Sequence, residues 1–288
     1  MSAGRRGPDR VAAGVGRRAC PAGLQPPGSP LRESSGTKCI RRTIFGGQPT
    51  VSSAVPRVIH PSAPAEGRQR LLRRRHGLVV VLTFLTGSAD AIGFLALGGA
   101  FSSVMTGNMV LLGLSAGRGD AELALTSGCA IVSFIVGVLA GARLVGSAQP
   151  DDPVWPRRVT WALVLELLVF VVFLVVWEIN LPHHDEHVDL ALLLLSAAAL
   201  GVQSSAIQRF GVPGLSSTYL TGTLTTLIAG VAARDPWRSL RPKAQVLLAL
   251  MTGAAVGALV ALHLPVVAPA LLIVPLVLVI AVSARMRG

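Results

Sequence analysis

One pattern occurs twice in this chain, and it lies inside apolar sequence both times. Residues 87–113 read GSADAIGFLALGGAFSSVMTGNMVLLG, and residues 201–230 read GVQSSAIQRFGVPGLSSTYLTGTLTTLIAG. Each copy opens on a glycine, crosses a Gly-rich hinge and meets a Ser-Ser pair (Ser102-Ser103, Ser216-Ser217). Each then reaches Thr-Gly-polar: Thr106-Gly107-Asn108 in the first, Thr221-Gly222-Thr223 in the second. One inserted residue near Thr218 aligns the two. A duplicated unit in a membrane chain predicts a two-fold architecture with a site at the interface of the halves.

Apolar segments cover 78–97, 101–117, 121–146, 159–179, 188–207, 215–233, 243–263 and 265–284. The mean hydropathy of +0.62 is too apolar for an ordinary soluble domain. A spanning helix needs about 20 apolar residues, and six segments supply them. The short ones, 101–117 and 215–233, carry the Thr-Gly motifs. The expected fold is therefore all-α: a polytopic membrane protein of six to eight transmembrane segments with an internal duplication. Repeat one spans 77–179 and repeat two 188–284, within a membrane domain over 77–284.

Loop charge chooses between eight spans and six. The connectors 143–158 and 234–243 and the C-terminus are basic, whereas 180–189 is acidic and lacks Lys and Arg. With the N-terminus cytoplasmic, eight spans send the basic 143–158 loop outside. Six spans with two re-entrant segments keep every basic connector inside, and the halves become inverted. The second arrangement is the preferred expectation. It describes a multi-pass protein of the cell inner (plasma) membrane.

The net charge of +12 belongs to residues 1–76, because residues 77–288 balance to zero. This Arg-, Pro-, Gly- and Ser-rich stretch has no apolar periodicity and is expected to be disordered. Three readings of it stay open: an upstream extension outside the translated protein, an organelle transit peptide, or a polybasic arm. No apolar stretch of secretory type precedes residue 78. Arg73-Arg74-Arg75-His76 reads as a juxtamembrane anchor. Cys20, Cys39 and Cys129 have no metal-binding spacing, and Cys129 reads as a small buried hydrophobe.

At the doubled motif the chain resembles the YoaK family of bacterial membrane proteins, a domain of unknown function. The carrying residues are Gly87, Asp90, Ala91, Phe94, Leu97-Gly98, Phe101, Met105-Thr106-Gly107-Asn108 and Gly113. In the second half they are Gly201, Gln203, Ala206 and Ser217-Thr218-Tyr219-Leu220-Thr221-Gly222-Thr223-Leu224. Ser204-Ser205 departs from the Asn-Ala that the family pattern leads one to expect. The resemblance covers about 78–284 and implies an integral inner-membrane protein without an established activity.

Candidate site residues follow from the cost of polarity in an apolar helix. Asp90 is the first, as an ion- or proton-coupling carboxylate or as a cap on the broken helix near Gly87. Arg209 is its candidate partner, or else a snorkelling interfacial residue. Gln203 stands close to the position that Asp90 holds in the first half. Thr106, Gly107, Asn108, Thr221, Gly222 and Thr223 either coordinate a solute or allow close helix packing. Glu166, in an otherwise apolar span, is a second carboxylate of lower rank. His183, His184 and His187 suit a solvated loop better than a metal site, and His263 reads as interfacial. No phosphate loop, dinucleotide fingerprint or nucleophile elbow occurs. No enzymatic activity, cofactor, metal or nucleic-acid partner is expected. The functional expectation is a secondary transporter or channel for a small solute or ion, with a membrane scaffold or regulatory subunit as the rival. Converging polar residues would favour the first, dry pairwise contacts the second.

Overall fold

The computed structural model describes residues 63–147, 153–181, 185–210 and 220–285. The expectations for residues 1–62, Ser216 to Tyr219 and the His183-His184 pair lie outside the described residues. Among the described residues eight α-helices follow in order: α1 Ala63–Ala96, α2 Met105–Arg118, α3 Ala121–Val145, α4 Arg157–Asn180, α5 Glu186–Gln208, α6 Leu220–Ala232, α7 Trp237–His263 and α8 Ala270–Arg285. Six of them are long and apolar enough to cross a membrane; α2 and α6 are not. The chain is an all-helical polytopic membrane protein.

Local chemistry sets the helix ends. Gly98 and Gly99 adopt φ of 90° and 75° and stop α1. Gly119 (φ 71°) closes α2 in the left-handed conformation that only glycine adopts without strain. Asp120 then caps α3 by accepting the Leu123 N–H at 3.0 Å. Pro156 and Pro236 stand immediately before α4 and α7, where no backbone donor is needed.

Contacts between helices fix their directions. α1 and α7 run side by side the same way: His76 Nε2 lies 3.1 Å from Gln245 Oε1, Phe84 backs onto Gly253, and Ser88 backs onto Gly257. α3 and α5 are likewise parallel, since Ser133 donates to Leu194 O at 2.7 Å, and Gly137 and Gly141 meet Ala198 and Val202. α5 opposes α1, with Arg75 stacked 4.9 Å from the Phe210 ring at one end and Thr86 bonded to Gln203 farther in. α4 opposes α8, joined by Thr160 and Ser283 at one end and by Trp177 donating to Pro265 O at the other.

So α1, α4 and α7 point one way, and α3, α5 and α8 point back. We call the end where α1 begins the basal end. α1 finishes at the far end and α3 starts there, so the intervening 97–120 enters and leaves by the far face. α5 finishes at the basal end and α7 starts there; between them α6 runs back to the basal face, with Thr226 O beside Lys243 Nζ and Gly230 beside Leu240. The six-span reading with re-entrant segments therefore matches the geometry. The halves are inverted, and each repeat's first helix packs on the other repeat's third.

The two crossings repeat each other closely. A Cβ on Gly253 would sit 2.1 Å from Phe84 O, and one on Gly137 would sit 2.1 Å from Ala198 O. On the facing helices, Gly87 and Gly201 would bring a Cβ to 2.3 Å and 2.4 Å from Leu250 O and Phe134 O. Backbones touch where side chains are missing, which is how helices associate when surrounding lipid is as apolar as they are. Single cysteines at Gly119 and Val154 should react with an impermeant maleimide from opposite sides of sealed vesicles. Labelling of both from one side would contradict the helix directions.

Charge separates along the same axis. Among the described residues every Arg and Lys except Arg118 belongs to the basal end, from Arg68 on α1 to Arg285 on α8. Asp120, Glu122, Glu178, Asp185, Glu186 and Asp189 gather at the far end.

Candidate functional site

Among the described residues two buried polar clusters hold a carboxylate, at different depths. The outer one holds the first re-entrant segment. After α1 ends, residues 97–104 descend beside it, and α2 climbs back from that depth. Asp90 meets the descending segment: one carboxylate oxygen accepts the Ser103 N–H at 2.7 Å and the other accepts the Ser103 hydroxyl at 2.6 Å. Ser102 Oγ reaches Ala89 O at 3.4 Å. Asn108, fully buried, accepts from Phe101 N at 2.8 Å and donates to Phe101 O at 2.7 Å, as a paired strand would. Gly107 leaves room for the Phe101 ring, whose carbons lie 3.1–3.2 Å from where a Cβ would be. Asp90 and Asn108 thus close the broken helix on itself.

The inner cluster lies where α1, α4 and α5 meet. Thr86 Oγ is 3.0 Å from Gln203 Oε1 and 2.9 Å from Leu82 O. Gln203 Nε2 donates to Glu166 Oε1 at 2.8 Å. Glu166 is completely buried, and its second oxygen has no hydrogen-bond partner among the described residues. Glu166 lies nine residues into α4, about 14 Å from its start at 1.5 Å per residue. That is close to the middle of a hydrocarbon core about 30 Å thick.

The arrangement departs from the sequence reading at several residues. Arg209 is not the partner of Asp90. It sits at the basal end of α5, where its guanidinium donates to Ser147 O, whereas Asp90 lies toward the far end of α1. Two helix-terminal regions on opposite faces cannot pair. Gln203 is not the counterpart of Asp90 either: because Gly87 and Gly201 occupy equivalent crossings, the residue equivalent to Asp90 is Ser204. Gln203 faces Glu166 instead. Of the Thr-Gly-polar motifs, only the third position of each is buried, Asn108 and Thr223. Thr106, Thr221 and Gly222 are exposed, and Gly107 is half-buried.

Asp90, Asn108, Gln203 and Thr221 therefore do not converge on one pocket. Thr86 and Ser103 are the partners that sequence reasoning passed over. Thr86 stands one helical turn before Asp90, and Ser103 belongs to the recurring Ser-Ser pair. Among the described residues no three His, Cys, Asp or Glu side chains gather as a metal would require.

The family described as "Protein of unknown function (DUF1275)" matches residues 78–284. This chain belongs to that family. The DUF1275 match takes in both repeats and both clusters. The chain is also similar to UPF0700 transmembrane protein YoaK of Bacillus subtilis (strain 168), at 37% identity over 162 residues, which is 56% of this chain and 68% of the relative. The resemblance to YoaK seen at the doubled motif thus holds well beyond it. No solved structure matches.

Proposed function

We propose that this DUF1275 protein is a secondary transporter or channel for a small solute, with Glu166 as the side chain that takes up and releases a proton or cation. One observation carries the reading: a fully buried carboxylate at membrane depth, held through one oxygen by Gln203 and, among the described residues, unpartnered at the other. An ionisable group there costs several kcal/mol on most scales, roughly 3 or more, and is a functional site by default. The inverted halves support it too, since a site at their interface is reached alternately from two faces. Gln203 and Thr86 complete a neutral polar wall beside the carboxylate.

The same reading puts the arginine-bearing basal end, and with it the start of α1, in the cytoplasm of a cell whose inner (plasma) membrane holds the chain. It assigns no enzymatic activity and no nucleic-acid partner. In proteoliposomes with a trapped pH dye, the wild-type chain should dissipate an imposed proton gradient, and Glu166→Gln should lower the rate to that of empty liposomes. Equal rates for wild type and variant would defeat the role of Glu166.

A second reading, a membrane scaffold or regulatory subunit, draws on the outer cluster. Asp90 and Asn108 are consumed by the segment they hold, in direct pairwise contacts. Under this reading wild-type liposomes are as tight as empty ones.

A further inference from the structure

A groove of about 490 Å³ runs along the outside of the bundle where α1, α7 and α8 meet. Its walls are Val80 and Phe84 on α1, Leu248 and Thr252 on α7, and Val274 and Leu278 on α8. Leu248, Val274 and Leu278 are more than half exposed although apolar. The groove opens on the outer surface of spanning helices, at the depth of hydrocarbon. Its basal end is polar: Gln245 lines it and meets His76.

Helical spacing adds a second observation. Arg73 stands two turns before Val80 on the same face of α1. Arg241 stands one turn before Gln245 on α7, and Arg238 two turns before it. Arg285 stands two turns beyond Leu278 on α8, which descends toward the basal end. Residues seven apart fall on nearly one face, and two turns rise about 10 Å. All four arginines are exposed. Each helix that walls the groove thus ends basally in an arginine on the groove's own face. The apolar trough and the cationic rim are continuous.

We infer that this groove is a binding site for one anionic glycerophospholipid, with an acyl chain along the trough and the phosphate among Arg73, Arg241 and Arg285. Charge complementarity selects the headgroup, because the cationic rim attracts a phosphate that carries net negative charge. A zwitterionic lipid offers the same chain but brings its own cation to the rim. Arginines near an anionic lipid surface favour the anionic lipid, so three together should give a preference on the order of ten-fold or more.

The test is native mass spectrometry of the full-length protein in detergent. It is titrated with phosphatidylglycerol and with phosphatidylcholine of matched chains. A single phosphatidylglycerol should be retained, at least about ten-fold more tightly than phosphatidylcholine. Arg73→Gln, Arg241→Gln and Arg285→Gln together should bring the ratio near unity, while the three corresponding Arg→Lys changes preserve most of it. Val274→Trp, which fills the trough, should weaken retention of both lipids. All these positions are exposed, and unchanged helical circular dichroism will verify folding. An unchanged preference in the triple Gln variant overturns the proposal. Equal retention of both lipids by the wild type does so too, as does a disulfide between cysteines at Leu248 of two chains, which would mean that a second copy covers the groove.

Discussion

Gly253→Ala should leave little folded protein. The added methyl lands 2.1 Å from Phe84 O, a backbone atom that cannot swing aside. α1 and α7 must then separate, and overpacking of this kind costs about 3 kcal/mol or more. Gly137→Ala should cost a similar amount, because its methyl meets Ala198 O at the same 2.1 Å. Gly222→Ala supplies the control. Nothing lies within 4 Å of its Cβ position, and alanine favours a helix over glycine by about 1 kcal/mol. Melting curves in detergent will rank the three. A Gly253→Ala variant that melts with Gly222→Ala would refute the contact between the crossing backbones.

The second large effect concerns Asp90. Asp90→Ala removes both acceptors from Ser103 and leaves an N–H and a hydroxyl buried without partners. The loss should be about 2–4 kcal/mol, and it falls on the re-entrant segment more than on the six spans. A cysteine at Ser102, buried in the native fold, should become reactive to a water-soluble maleimide in Asp90→Ala. Asp90→Asn should stay protected. The amide oxygen replaces one acceptor, and the Ser103 hydroxyl can turn to accept from the amide nitrogen. If Asn exposes Ser102 as much as Ala does, the carboxylate is doing more than anchoring the segment.

These two expectations mark how far the residues alone reach. The eight helices were legible because apolar runs and glycine breaks are local signals, and the re-entrant pair because arginine placement constrains topology. Sequence reasoning passed over the helix crossings, although Gly137-x-x-x-Gly141 and Gly253-x-x-x-Gly257 carry a signal for them. That spacing brings two missing side chains onto one helix face. The roles of the carboxylates were not legible. Asp90 and Glu166 are each one acidic residue in an apolar helix, and nothing adjacent in sequence separates them. The partner decides: Ser103 returns to Asp90 through the re-entrant fold, while Gln203 reaches Glu166 across two helices. The aligned repeat also misled by one residue. Gln203 and Asp90 look equivalent by position, but the glycine crossing sets the register, and it pairs Asp90 with Ser204.

The exchange of helices between the repeats has a consequence for how the protein is made. α1 is synthesised before α7, yet the surface that receives Gly87 and Ser88 lies on α7, and α3 must likewise wait for α5. While the chain emerges from the ribosome, α1 stands in the bilayer with a glycine-notched stripe that nothing yet fills. Neither half can reach its final packing before the other is inserted in the opposite sense. Biogenesis must therefore keep the first half open until the second half is inserted. A chain halted after α4 has no partner for the crossings at Gly87 and Gly137.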